Sequence, residues 1–181
     1  NPLVNAGGLT ISALLCRLPG VEERFASVWR RATGAPAVSV SEEVLEAELA
    51  HSDKHRAILL LMRDAGTLPC MEDGGEPVSV ERALQAYFWM CSVQTTVRDA
   101  AAAAATLANW GVSPVTNELV FSVDVVRATL RVMFCAGMST LSGRHMFDAG
   151  FAAKTGVSGL VLGVLPGVLG LAVRSPPVDD T

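Results

Sequence analysis

The chain has 181 residues, 50% of them hydrophobic and only 18% charged, with a net charge of −4. That composition excludes a disordered chain and a highly charged coiled coil. It allows one domain with a sizeable core. Fourteen basic residues against eighteen acidic ones leave no basic footprint, so no nucleic-acid partner is expected.

Ala6 to Leu18 is apolar and reads as a helix stopped by Pro19-Gly20. Val21, Phe25, Val28, Trp29 and Ala32 recur at helical spacing, and Gly34 closes that amphipathic helix. Ser39-Val-Ser-Glu42 offers a capping box with Ser39 at the cap. The helix after it carries Glu48, and His51-Ser-Asp-Lys-His55 interrupts or restarts it. Ala57 to Met62 reads as a buried helical stretch, and Thr67 to Pro77 as a loop. Ser79 is a candidate cap for a helix whose apolar face is Val80, Ala83, Leu84, Tyr87, Phe88 and Cys91.

A break at Ser92 to Thr95 precedes an alanine-rich helix, Val97 to Asn109. Alanine favours the helix and lets neighbours approach closely. Ser113-Pro114 begins a turn. Ser122 caps a helix from Val123 to about Cys135, with Val125, Val126, Leu130, Met133 and Phe134 as core candidates. From Gly137 glycines become frequent, and two to four strands are expected between Met146 and Val173. The chain therefore reads as one α+β domain over 1–181, mainly helical over 1–136 and strand-forming over 137–181.

The uncharged stretch from Gly156 to Val173 is near the length of a membrane span, but Pro166-Gly167 divides it. Two short strands fit it better, so no membrane partner is expected. Cys16, Cys70, Cys91 and Cys135 show no Cys-x-x-Cys and read as buried, reduced thiols. No signal peptide is recognisable, and a cytoplasmic location is expected. Glu48, His51 and His55 would share one face of a continuous helix. A di-iron site would need a second Glu-x-x-His, and there is none, so neither metal nor cofactor is expected.

Lys154-Thr155-Gly156 precedes an apolar run, Val157 to Leu165. Serine β-lactamases and penicillin-binding proteins use such a triplet beside an acyl-enzyme. Other motifs accompany it: Asn1-Pro-Leu-Val-Asn-Ala-Gly7, Tyr87-Phe-Trp-Met-Cys-Ser92, Ala104-Ala-Thr-Leu-Ala-Asn109, Cys135-Ala-Gly-Met138, Ala153-Lys-Thr-Gly-Val157 and Ser175-Pro-Pro-Val-Asp179. In that order and at those intervals the chain resembles the serine-dependent glutaminases, nearly end to end. The resemblance implies a β-lactamase/transpeptidase-like α+β fold: a mostly helical part, then antiparallel strands. It implies hydrolysis of L-glutamine to L-glutamate and ammonia through a serine acyl-enzyme, by a homo-oligomer when the protein is complete.

At the level of residues, the resemblance assigns substrate contact to Asn5 and the substrate's α-amino group to Glu48. It makes Tyr87 the active-site tyrosine and places the backbone N–H of Val157 in the oxyanion hole. Asn5 can also be read as a helix cap, Glu48 as a solvated acid and Tyr87 as a core aromatic. The departures are specific. The family nucleophile lies in a Ser-x-x-Lys motif upstream of Asn1, and no serine in this sequence has Lys three residues on. His55 stands at the asparagine that holds the α-carboxylate. Ser139 stands at a tyrosine linked to proton transfer, a role that a serine hydroxyl cannot simply inherit. Trp110 stands at a glycine, and Thr155 at a serine.

An incomplete domain, an inactive relative and a degraded coding sequence are the three explanations. The alternative function is a non-enzymatic binding module on the same fold. The isolated chain is expected to be marginally stable, with exposed sheet edges.

Overall fold

The computed structural model describes residues 1–71 and 75–176. In chain order it contains α1 (Asn5–Leu15), α2 (Val21–Thr33), β1 (Ser39–Val40), α3 (Glu42–Ala50), α4 (Asp53–Asp64), α5 (Val80–Cys91), β2 (Val93–Gln94) and α6 (Val97–Ala108). Then come α7 (Val123–Ala136), a 3₁₀ turn (Ser139–Leu141), α8 (Ser142–Ala149), β3 (Ala152–Thr155), β4 (Leu160–Leu165) and β5 (Leu169–Arg174). The class is α+β, as expected. Part of the expected loop (72–74) and most of the Ser175-Pro-Pro-Val-Asp179 motif (177–179) lie outside the described residues.

Local chemistry sets most helix ends. The side chains of Ser41, Thr96 and Ser122 accept the N–H of Val44, Asp99 and Val125, so they cap α3, α6 and α7. Gly34 ends α2 with a φ of +74°, a conformation that glycine adopts without strain. Ser39 is not a cap: its backbone pairs with Gln94 in the β1–β2 ladder, and Ser41 takes the role. Ser79 precedes α5 but makes no capping bond. Asn5 is the first helical residue of α1, with Val4 at the cap, so the capping reading of Asn5 fails.

Contacts divide the chain into two compact units, residues 1–26 with 39–94 and residues 27–38 with 95 onward. In the first unit, α1 and α3 pack on α5, and α4 packs on both α1 and α5. Leu9, Ala13, Cys16, Leu59, Leu68, Val78, Val80, Ala83, Leu84, Ala86 and Phe88 form its core. The expected buried run in α4 is buried only at Leu59, and Leu61 is 70% exposed. Six successive residues of a helix point all round it, and α4 has neighbours on one side. Cys91 departs likewise: it is exposed, as is Cys135, Cys70 is half-buried and only Cys16 is fully buried.

In the second unit, β3, β4 and β5 form an antiparallel sheet in that order. The uncharged stretch is thus a hairpin turning at Pro166-Gly167, with a φ of +73° at Gly167. No described helix is long and apolar enough to cross a membrane. The first of the residues expected to form strands are helical instead. Helix α8 continues through Ala149 and ends on Gly150 in the left-handed conformation, so the sheet begins only at Ala152. The core joins Ala104 and Ala108 of α6, Val126, Leu130 and Met133 of α7, Ala152 and Val164. Val125, expected there, is 50% exposed because the buried stripe of α7 runs through its neighbour Val126.

Helix α6 lies almost backbone to backbone on β5. A Cβ placed on Gly170 would stand 2.0 Å from the Ala105 nitrogen and 2.2 Å from the Ala104 carbonyl carbon. The N–H of Gly167 also donates to the Ala108 carbonyl at 2.7 Å. Alanine along α6 permits this approach and Gly170 completes it. Gly170→Ala is expected to lower the unfolding free energy by about 3 kcal/mol or more, since the clash is with main chain. Gly143→Ala, in α8 with nothing within 4 Å, should be neutral or stabilise by up to about 1 kcal/mol. Urea denaturation of both variants checks the pair.

Candidate functional site

Four of the residues assigned by resemblance lie in the first unit. Tyr87 stands half-buried on α5 with its ring 5.2 Å from that of Phe88. The His55 ring, near the start of α4, lies 5.6 Å from Tyr87 and 5.0 Å from Phe88. Helix α1 meets Tyr87 through Gly8: a Cβ there would stand 3.0 Å from the tyrosine ring. One residue earlier, a Cβ on Gly7 would fall 1.9 Å from the Asn1 carbonyl oxygen. Glycine costs about 1 kcal/mol inside a helix, and the doublet is tolerated here because α1 must fold against its own leader and against Tyr87. Asn5 is exposed one turn before Gly8.

Tyr87 has its phenol pushed up to about 12, first by burial, then by the Cys91 thiol and the Glu48 carboxylate. Glu48 itself is exposed on α3. The phenol therefore keeps its proton far above neutral pH and can serve as a hydrogen-bond donor.

The second unit holds the Lys-Thr-Gly motif. The N–H of Thr155 donates to the Gly137 carbonyl at 3.0 Å. A Cβ on Gly137 would fall 1.7 Å from the Ala153 carbonyl oxygen. The Cys135-Ala-Gly-Met138 and Ala153-Lys-Thr-Gly-Val157 motifs are thus halves of one contact. Lys154 is half-buried, burial holds its ammonium below the usual lysine range, and its Nζ donates to the Thr155 carbonyl. Ser139 is exposed, with a φ of +53°. The buried Ser142 hydroxyl donates to the Ser139 carbonyl at 2.8 Å and accepts the Met138 N–H at 3.0 Å.

Val157 is not on a strand. The β3–β4 ladder ends at Thr155↔Val161. The N–H of Gly156 then donates to the Leu160 carbonyl at 2.8 Å, which leaves Val157 fully exposed in the turn. The shared face for Glu48, His51 and His55 is likewise lost. Helix α3 ends at Ala50, α4 starts anew at Asp53, and His51 turns back to the Ala47 carbonyl at 2.8 Å. Among the described residues no three His, Cys, Asp or Glu side chains group as metal ligands. Gly8, Gly137 and Ser142 escaped the sequence reading, although a Gly-Gly pair inside a helix signals a close approach.

The glutaminase family model matches residues 1–181. The chain belongs to the glutaminase family. It is 35% identical over 182 residues to the mitochondrial liver isoform of glutaminase from Rattus norvegicus, covering 99% of this chain and 29% of the rat protein. It is 34% identical over 181 residues to the glutaminase of Clostridium tetani (strain Massachusetts / E88), covering 99% of this chain and 56% of that one. The crystal structure of Mglu in its native form superposes with a TM-score of 0.88 at 34% identity, covering 99% of this chain and 42% of Mglu. The chain thus spans between about a quarter and somewhat more than half of the curated relatives it matches.

Tyr87 is the only tyrosine of this glutaminase-family chain, so its ionisation can be read without interference. Ultraviolet titration near 295 nm should show a midpoint of about 12 in the folded chain instead of 10.0. The sign for stability follows. The unfolded phenol ionises first, so the contribution of Tyr87 is complete below pH 10 and is lost as pH rises towards about 12. A folded midpoint near 10 would show the ring to be solvated.

Proposed function

We propose that the protein hydrolyses L-glutamine to L-glutamate and ammonia. A serine oxygen attacks the side-chain amide carbonyl, ammonia leaves as the acyl-enzyme forms, and water releases glutamate. The nucleophile must come from sequence outside these 181 residues, which contain no Ser-x-x-Lys. Tyr87 and the lysine of that upstream Ser-x-x-Lys manage protons at the reacting serine, the phenol as a hydrogen-bond donor. Backbone N–H groups of the turn that holds Val157 bind the oxyanion. Glu48 pairs with the substrate's ammonium, His55 with its carboxylate, and Asn5 donates and accepts hydrogen bonds at the same end. Ser139 contributes main chain rather than proton transfer. The active form is a cytoplasmic homo-oligomer that needs no cofactor.

The observation that carries this reading is the match over the whole chain, which extends to the structure of Mglu in its glutamate form at a TM-score of 0.88. The test is ammonia release from L-glutamine by the full-length gene product, with its intact mass measured first. Activity is expected, and Tyr87→Phe should lower kcat/KM about 100-fold, the usual worth of a positioned acid–base group. A folded full-length protein that releases no ammonia would leave the binding-module alternative in its place.

A further inference from the structure

Ser142 opens α8 and is buried. Its hydroxyl bonds the main chain of the turn before the helix. It donates to the Ser139 carbonyl at 2.8 Å and accepts the Met138 N–H at 3.0 Å, so donor and acceptor are both in use. His145, three residues on, also meets main chain: its Nε2 lies 3.1 Å from the Phe151 carbonyl oxygen, and its ring stands edge-on to Phe151. Residues three apart share a helix face. One face of α8 therefore holds the chain on both sides of the helix, at the turn after α7 and at the entry to β3.

The turn that Ser142 holds is itself bonded to the strand. Gly137, one residue before Met138, accepts the Thr155 N–H at 3.0 Å. No side chain separates the two runs, since a Cβ on Gly137 would fall 1.7 Å from the Ala153 carbonyl oxygen. Thr155 is the last β3 residue in the ladder, and the Gly156–Leu160 bond beyond it closes the turn that carries Val157. Ser139 has a φ of +53°, a conformation that a residue with a side chain keeps only where its surroundings impose it. The Ser142 hydroxyl supplies that restraint. A path of bonded main chain thus runs from one buried hydroxyl to the end of the Lys-Thr-Gly strand.

We propose that Ser142 is a positioning residue for the hydrolysis: through Met138, Ser139 and Gly137 it fixes the end of β3 and, with it, the N–H groups of the turn that holds Val157. It acts through main chain and has no part in binding the substrate. This rests on the glutaminase reading of that turn. Asn5, Glu48 and His55, assigned to the amino-acid end of the substrate, belong to the other compact unit. Slackening the turn therefore weakens contacts made in the transition state and leaves the grip on the substrate in place.

The experiment uses the full-length protein and L-glutamine, with kcat counted per folded molecule. Ser142→Ala should lower kcat about tenfold or more, because a small misplacement at a reacting centre is that costly, and should leave KM close to native. Ser142→Cys, whose thiol is a weak donor and a weak acceptor, should fall between, and it carries the comparison if the alanine variant does not fold. Ser142→Thr restores the hydroxyl and should recover most of kcat. Gly143→Ala, the next position of α8 with nothing within 4 Å, should behave as native. Hydrogen exchange should quicken over 153–157 in Ser142→Ala while β4 and β5 exchange at the native rate. An unchanged kcat, a risen KM with kcat kept, equal losses in all three Ser142 variants, or faster exchange throughout the second unit would overturn the positioning role. So would failure of both the alanine and the cysteine variants to fold, which would make Ser142 a structural residue. In each of these cases hydrolysis by the native protein leaves the glutaminase reading standing, whereas a native protein that hydrolyses no L-glutamine would overturn both.

Discussion

Main chain set against main chain is the constraint on which the rest depends. Gly170 lets β5 touch the backbone of α6, Gly137 lets the end of α7 touch β3, and Gly7 lets α1 touch its own leader. In each case a methyl group would stand 2.0 Å or less from a backbone atom. Main chain cannot swing aside as a long side chain can, so these contacts have one solution. Each also carries a motif. The Gly137 contact holds the strand of Lys154, and the Gly7-Gly8 turn of α1 lies against Tyr87. The chemistry-bearing residues are aimed by neighbours that have no side chain at all.

This explains which parts of the structure were legible in the sequence. Helices with a hydroxyl cap or a terminal glycine could be read because both act within one turn of chain. The hairpin at Pro166-Gly167 could be read because β-forming runs flank a strong breaker. The helical state of Ser142–Ala149 could not. Its surroundings are rich in glycine, and the end that defines it, Gly150 with a φ of +70°, looks in sequence like one more breaker among several. Which serine caps α3 was hidden for a different reason. Ser39 pairs with a strand more than fifty positions away, and no local pattern reports that.

For the candidate site the resemblance supplied residue types and little geometry. Asn5, Glu48, His55 and Tyr87 fall in one compact unit, where the last two touch. Val157 shows the limit. Its apolar neighbours suggested a strand, yet Gly156 ends the ladder before it. An apolar residue next to a strand is normally counted with that strand by periodicity, and only the pairing register separates the two.

Two of the departures from the family share a backbone state. Trp110 and Ser139 both have left-handed φ, +56° and +53°. A residue other than glycine in that region costs roughly 1–2 kcal/mol, so something else must hold each conformation. For Ser139 the structure shows it: the Ser142 hydroxyl ties both Met138 and Ser139, and the adjacent Gly137 is bonded to Thr155. The turn is kept by its neighbours whatever side chain position 139 carries. A change of side chain at position 139 therefore leaves β3 and Lys154 undisturbed. His55 is a different kind of change. It changes the side chain that lies against the phenol ring, on a backbone that is ordinary helix.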